Sequence, residues 1–457
     1  LTVSARESRE SRSDAPLSTV VLATWVVAFA VVLARSWSRI GRLSSLETGL
    51  LQEAWFRRPI PDSGFIPDRS GWRALVSPWS VLDQISGYRA VVPRSVSIAV
   101  SRTGLEQYAT WIVPAMAAVW ALAAAVICAV VASATGRRAS GAAAAAVLVL
   151  APVANPTILG QANASGHLVL VPAVVAIVLG TVPRRWWSRA LVLVGLGAAA
   201  LSSAMGVLLV AVAVARLAVE RRRPDRAESF VLAVLGSAAA VQVYTYLVQR
   251  SGGRRIDEWS IGSLLREVSY LGYALAPRPV QGAMYDPAPV RDWLVIGGTV
   301  AAVVAALAVL RRGSSLDGSG TGAWRRPALL AASGAAFMSV STALNGNLNI
   351  HYVLMPSVAI WVAVVVLVSP WIGAPRPWRA PALAVVAAAF LVPAAQSLDA
   401  GGGRGMFLVN EDPRISDLLD GARSECTGKD PSTMVEVLGY LGAECGELPL
   451  GRSADTP

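Results

Sequence analysis

The stretch YATWIVPAMAAVWALAAAVICAVVASA, Tyr108 to Ala134, runs for 27 residues without a charge, and Arg137-Arg138 follows it closely. A helix rises about 1.5 Å per residue, so about 20 apolar residues cross the roughly 30 Å hydrocarbon core of a bilayer. An apolar run of this length is hard to solvate and reads as a membrane span. Working outward, similar runs lie at Leu17–Ala34, Ser140–Pro156, Gly166–Val182, Ser188–Ser203, Met205–Val219 and Ser229–Val248. Four more follow at Asp292–Leu310, Pro327–Leu344, Tyr352–Val368 and Ala380–Ala395. The expectation is an all-α polytopic bundle of about eleven transmembrane helices. Composition agrees: 54% of residues are apolar and 15% charged, against about 25% charged in soluble domains.

Arginine sets the orientation. Arg137-Arg138, Arg184-Arg185, Arg221 to Arg223, Arg311-Arg312 with Arg325-Arg326, and Arg376 with Arg379 fall in alternate loops. Basic loops stay in the cytoplasm, which predicts a cytoplasmic N-terminus, a multi-pass plasma-membrane protein and an external C-terminus. The weakest boundary is Ser188–Val219, where two short spans or one re-entrant hairpin keep the same downstream orientation. Three parts follow: a polar N-terminus (1–16), a bundle (17–396) with a long first external loop (35–107), and an external tail (397–457). The net charge of +11 resides in clusters between apolar runs, which argues against a nucleic-acid partner and for the lipid bilayer as one. Cys128 lies inside a span. Cys426 and Cys445 lie in the tail, on a side where a disulfide is permitted.

The first external loop carries both acids and arginines. Glu47, Glu53 and Asp83 are candidate general bases, although six residues put Glu47 and Glu53 on different helix faces. Arg89 and Arg94 are suited to a phosphate held by guanidinium forks. Asn163 and His167 in the second external loop, and His351-Tyr352 at a later span entrance, are candidates for binding sugar hydroxyls. No phosphate-cradling GxxxxGK[ST], GxSxG or HExxH motif occurs, and no cysteine–histidine spacing marks a metal site.

The layout resembles bacterial lipid-linked sugar transferases of the GT-C superfamily, which have a first span, a long external loop and about ten further spans. Gly87-Tyr88-Arg89-Ala90-Val91-Val92-Pro93-Arg94 is similar to a glycine-tyrosine segment with a following Pro-Arg in GT-C-like membrane proteins. Leu201-Ser202-Ser203-Ala204-Met205-Gly206 resembles their small-residue turn between spans. His351-Tyr352-Val353-Leu354-Met355-Pro356 resembles a segment that opens a late span, with His351 where the family has arginine. The paired tail cysteines are a further likeness.

The resemblance implies transfer of a sugar from a polyprenyl-phosphate donor to an envelope glycan or lipid acceptor. Glu47, Glu53 or Asp83 would be the base. Arg89 and Arg94 would hold the phosphate, and Tyr88, Asn163, His167, His351 and Tyr352 would belong to the substrate site. It implies no fixed cofactor, although some members require a divalent cation. Two readings stand beside it: a transporter or flippase of a lipid-linked saccharide, with Gln242, Tyr244 and Tyr246 as polar groups inside the bundle, and a non-catalytic envelope scaffold.

Overall fold

The computed structural model describes residues 17–43, 84–85, 88–103, 105–154, 156–162, 164–180, 182–183, 185–249, 272, 290–312, 324–345, 351–372, 379–399, 413–438, 441–446 and 448. The bundle helices are α1 (Leu17–Ser36), α2 (Val91–Ser101), α3 (Leu105–Thr135), α4 (Arg138–Leu150), α5 (Pro156–Leu159), α6 (Ser165–Leu168), α7 (Leu170–Leu179) and α8 (Trp186–Ala200). They continue with α9 (Leu208–Glu220), α10 (Arg226–Gln249), α11 (Val290–Arg312), α12 (Arg325–Asn345), α13 (His351–Val368) and α14 (Ala380–Asp399). Each of the eleven apolar runs contains a helix. Among the described residues, four helical segments are long and apolar enough to cross a membrane: Leu17–Arg39, Gln107–Thr135, Arg226–Leu247 and Tyr352–Trp371. The chain is thus a predominantly helical, membrane-associated protein.

Local chemistry sets the breaks between helices. The expected run Ser140–Pro156 is helical only to Leu150, because Ala151 stands before Pro152 and is extended (φ −49°, ψ 131°), as the proline ring requires. The expected run Gly166–Val182 is two helices, α6 and α7, parted at Val169 and ended by extended Gly180. Between α8 and α9 the chain turns at Leu201–Ser203 and passes through a short 3₁₀ segment, Ala204–Val207. Helix α3 ends at Gly136, which adopts φ +67°, the left-handed cap that glycine takes without steric cost.

Helix α3 is central and packs against α1, α2, α4 and α7; α12 and α13 pack as a pair, and α13 also meets α4, α6 and α7. The α3–α4 crossing is close: a Cβ on Gly141 would lie 2.5 Å from the Cys128 carbonyl oxygen. Cys128 is buried, and the Thr24 hydroxyl donates to its sulfur at 3.5 Å.

The bundle has two chemically distinct ends. At one, Arg137 donates to the Ile372 carbonyl (2.7 Å), Arg216 to that of Ile177 (2.7 Å) and Arg325 to that of Val219 (3.4 Å). These bonds gather the start of α4, the ends of α7 and α9, the start of α12 and the turn after α13. We call this the arginine end. The opposite, loop end collects the ends of α1 and α8, the start of α3 and the C-terminal tail. Trp37 and Trp111 are exposed at the loop end, and Trp186 and Trp187 at the arginine end, as in the aromatic belts at bilayer interfaces.

The tail forms a small unit on the loop end. Helix α15 (Ile415–Glu425) buries Ile415, Leu419 and Ala422 along one stripe, against a hairpin of β3 (Met434–Leu438) and β4 (Leu441–Glu444). Its strands pair Met434 with Glu444 and Val435 with Ala443. A Cys426–Cys445 disulfide ties helix to hairpin. The Leu43 amide donates to Pro413, the Ile415 amide to Gly41, and the Gly41 amide to Ala109 at the start of α3 (3.0–3.1 Å).

Candidate functional site

The turn after α8 organises the loop end. Ser202 leaves the helix with its hydroxyl donating back to the Ala198 carbonyl (2.5 Å), and the same oxygen accepts from the Val92 amide (3.0 Å). The Leu201 carbonyl accepts from the Val91 amide (3.1 Å). These are among the first N–H groups of α2, which have no partner within their own helix. Ser203 caps the 3₁₀ segment by accepting from the Met205 amide (3.2 Å).

Gln242 of α10, 2% exposed, completes the joint. Its Oε1 accepts from the Arg89 amide (2.8 Å), while its Nε2 lies 3.1–3.2 Å from the carbonyl oxygens of Arg89, Ala200 and Ser203. One amide side chain therefore clips a two-stranded ribbon, β1 (Gln84–Ile85) and β2 (Tyr88–Arg89), onto the α8 turn.

On the other flank, α6 sits directly on this turn. A Cβ on Gly166 would collide with the Ser202 carbonyl oxygen and press on Pro93. Neighbouring His167 meets Tyr352 edge-to-face, with ring centroids 4.8 Å apart. Arg94 is 5% exposed within α2, and the Ser97 and Tyr108 hydroxyls hydrogen-bond at 3.1 Å, joining α2 to α3.

Three of the segments singled out in the sequence thus converge on one turn: Tyr88–Arg94, Leu201–Gly206 and Gly166–His167, with Tyr352 behind. For Tyr88 and His351 only the backbone is described. Glu47, Glu53, Asp83 and Asn163, which would supply the acid–base chemistry and part of the sugar pocket, lie outside the described residues. The helix expected around Glu47 falls there too. One expectation is corrected: Tyr244 and Tyr246 do not face the bundle interior. They are 67% and 41% exposed: Tyr244 lies about 200° around the helix from Gln242, and the inward stripe runs through Gln242 and Thr245, each 2% exposed, with Tyr246 at its edge.

A second feature reaches the same end. An apolar cavity of about 530 Å³ runs between α1 and α4, lined by Thr19, Ala23, Val27, Ala142, Ala146 and Val149, among others. Arg35 donates to the Val149 carbonyl and so stands where the groove meets the loop end. One turn on, Arg39 is 4% exposed, in a segment packed on α5. Hydropathy cannot reveal this groove, since small side chains at a helix crossing look like any other apolar residues.

Chemically, the loop end offers deeply placed guanidinium groups, suited to phosphate, beside an apolar channel suited to hydrocarbon. Among the described residues there is no cluster of three or more His, Cys, Asp or Glu side chains that would hold a metal ion. No family model, no curated protein and no solved structure matches this chain.

Proposed function

We propose that the protein is a membrane glycosyltransferase that takes a polyprenyl-phosphate sugar at the loop end and passes the sugar to an envelope glycan or lipid acceptor. In this reading all eleven helical runs cross the plasma membrane in a GT-C-like bundle, the N-terminus is cytoplasmic, and the loop end and tail face outward. The observation that carries it is the apolar groove between α1 and α4, which ends at Arg35 on the end that also holds Arg39, Arg89 and Arg94. That combination suits an amphiphile with a long hydrocarbon tail and an anionic phosphate head.

Those arginines follow the first span on the side assigned to the exterior, where the positive-inside rule does not call for them. A ligand accounts for them better than topology does. Arg89 and Arg94 hold the phosphate and stabilise the charge that develops on it as the sugar departs. The base falls to Glu47, Glu53 or Asp83.

Titration of the detergent-purified protein with a panel of polyprenyl-phosphate sugars tests this. We expect saturable binding that weakens at least tenfold in Arg89→Ala and Arg94→Ala, and in Ala146→Phe, which fills the groove. Transfer should disappear when Glu47, Glu53 and Asp83 are replaced together. Binding without transfer in the wild type would favour a flippase, and no binding across the panel would refute the reading.

A further inference from the structure

A different cavity lies at the arginine end. Helices α8 and α10 approach closely at Gly197, where a Cβ would lie 3.3 Å from Val234. Toward the arginine end a cavity of about 180 Å³ lies between them, bounded by Val192 and Leu196 of α8, Val231 and Leu232 of α10, and Ala176 and Ala213 behind. Leu191 and Val194 of α8 and Phe230 of α10 are exposed, so both flanking helices present apolar side chains outward. Trp186 and Trp187, 80% and 48% exposed on the first turn of α8, mark headgroup depth.

Charge gathers at its mouth. Arg216 and Glu228 line it. They belong to a network in which Arg216 meets Glu220 (3.3 Å) and Glu228 (3.7 Å), Arg222 meets both glutamates (2.6 and 2.5 Å), and Arg326 meets Glu220 (2.8 Å). Three guanidiniums against two carboxylates leave the network positive. Around it Arg185, Arg221, Arg223, Arg226 and Arg325 are exposed.

We infer that this is a binding site for one anionic bilayer phospholipid. An acyl chain enters between α8 and α10, and the phosphate is met by the exposed arginines around the Arg216–Glu228 mouth. Apolar walls alone would accept any lipid; the surplus of positive charge at headgroup depth selects an anionic one. The glutamates hold Arg216 and Arg222 in place, which leaves the exposed arginines to meet the ligand. The site is at the opposite end of the bundle from the proposed donor site and does not depend on it.

Native mass spectrometry on protein equilibrated with equimolar dioleoyl phosphatidylglycerol and dioleoyl phosphatidylcholine tests the inference. The wild type is expected to retain one phosphatidylglycerol with at least tenfold preference. A triple Arg185→Gln, Arg223→Gln, Arg226→Gln variant, altered only at exposed positions, should lose the preference. Ala176→Leu, which fills the cavity, should lose retention of both lipids. Equal retention of the two lipids by the wild type, or an undiminished preference in both variants, would overturn the site.

Discussion

Gln242 joins the arginine-bearing ribbon to the bundle, so its removal gives the sharpest test of the site's construction. In Gln242→Leu the Arg89 amide loses its 2.8 Å acceptor, and the Arg89 and Ala200 carbonyls lose a donor. The Ser203 carbonyl keeps its bond from the Gly206 amide (2.9 Å). A buried donor left unsatisfied costs about 1–3 kcal/mol. Interhelical side-chain bonds in membranes average only about 0.6 kcal/mol, because freed groups find other partners. A ribbon amide facing the joint has few such partners, so we expect about 2 kcal/mol, or roughly 30-fold in the local opening equilibrium. Hydrogen exchange followed by mass spectrometry on the segment containing Arg89 reads this directly as exchange about 30-fold faster. Gln242→Glu still accepts from the Arg89 amide but turns acceptor oxygens toward three carbonyls. It should protect Arg89 while loosening Leu201–Ser203. Wild-type exchange at Arg89 in the leucine variant would refute the account of the joint.

At the arginine end, burial pushes the Glu220 carboxyl up, but the Arg222 hydrogen bond and the Arg216 and Arg326 charges outweigh it and hold it below its ordinary 4.5. A depressed pKa stabilises the fold above the unfolded value and loses that stabilisation as pH falls through the folded value. The difference in thermal stability between wild type and Glu220→Gln should therefore be constant from pH 7 to about 5 and shrink in more acid buffer; a constant difference throughout would refute it. Gly166→Ala sets a methyl against the Ser202 carbonyl and should cost about 1–3 kcal/mol, lowering the melting midpoint, whereas alanine at Gly236, which has open space, should be neutral or stabilising. Cys426→Ser opens a loop closed across 19 residues and should cost the tail about 3 kcal/mol; limited proteolysis should then cut the tail while the bundle stays intact.

The helices were legible because long apolar runs bounded by arginine clusters admit few other fates, and a sequence boundary failed where a single residue overrides hydropathy. Pro152 ends α4 early for that reason, whereas the turn at Ser202-Ser203 falls where the runs Ser188–Ser203 and Met205–Val219 meet. The Tyr88–Arg94 segment could be flagged from its mixture of glycine, proline and arginine, yet its anchorage by Gln242 could not. That contact spans 153 residues, and a lone glutamine in an apolar helix does not announce its partners. The Glu220–Glu228 network had a local trace. Asp225 and Glu228 cap α10 reciprocally (2.8 and 3.2 Å), and the D-x-x-E spacing belongs to that motif. Arg221, in the left-handed region at φ 51°, had none, since an arginine there is held by its surroundings rather than by preference.

The backbone pairing of residues 41–43 with 413–415 has a bearing on biogenesis. The turn after α1 is synthesised well before its strand-like partners, which come only after α14. Closing so long a loop is entropically unfavourable, so the bundle must already have brought the two segments near each other. The pairing is thus a late event that reports on completed assembly. A protease-sensitive turn at Gly41 in a nascent or truncated chain would mark molecules in which the last helices have yet to arrive.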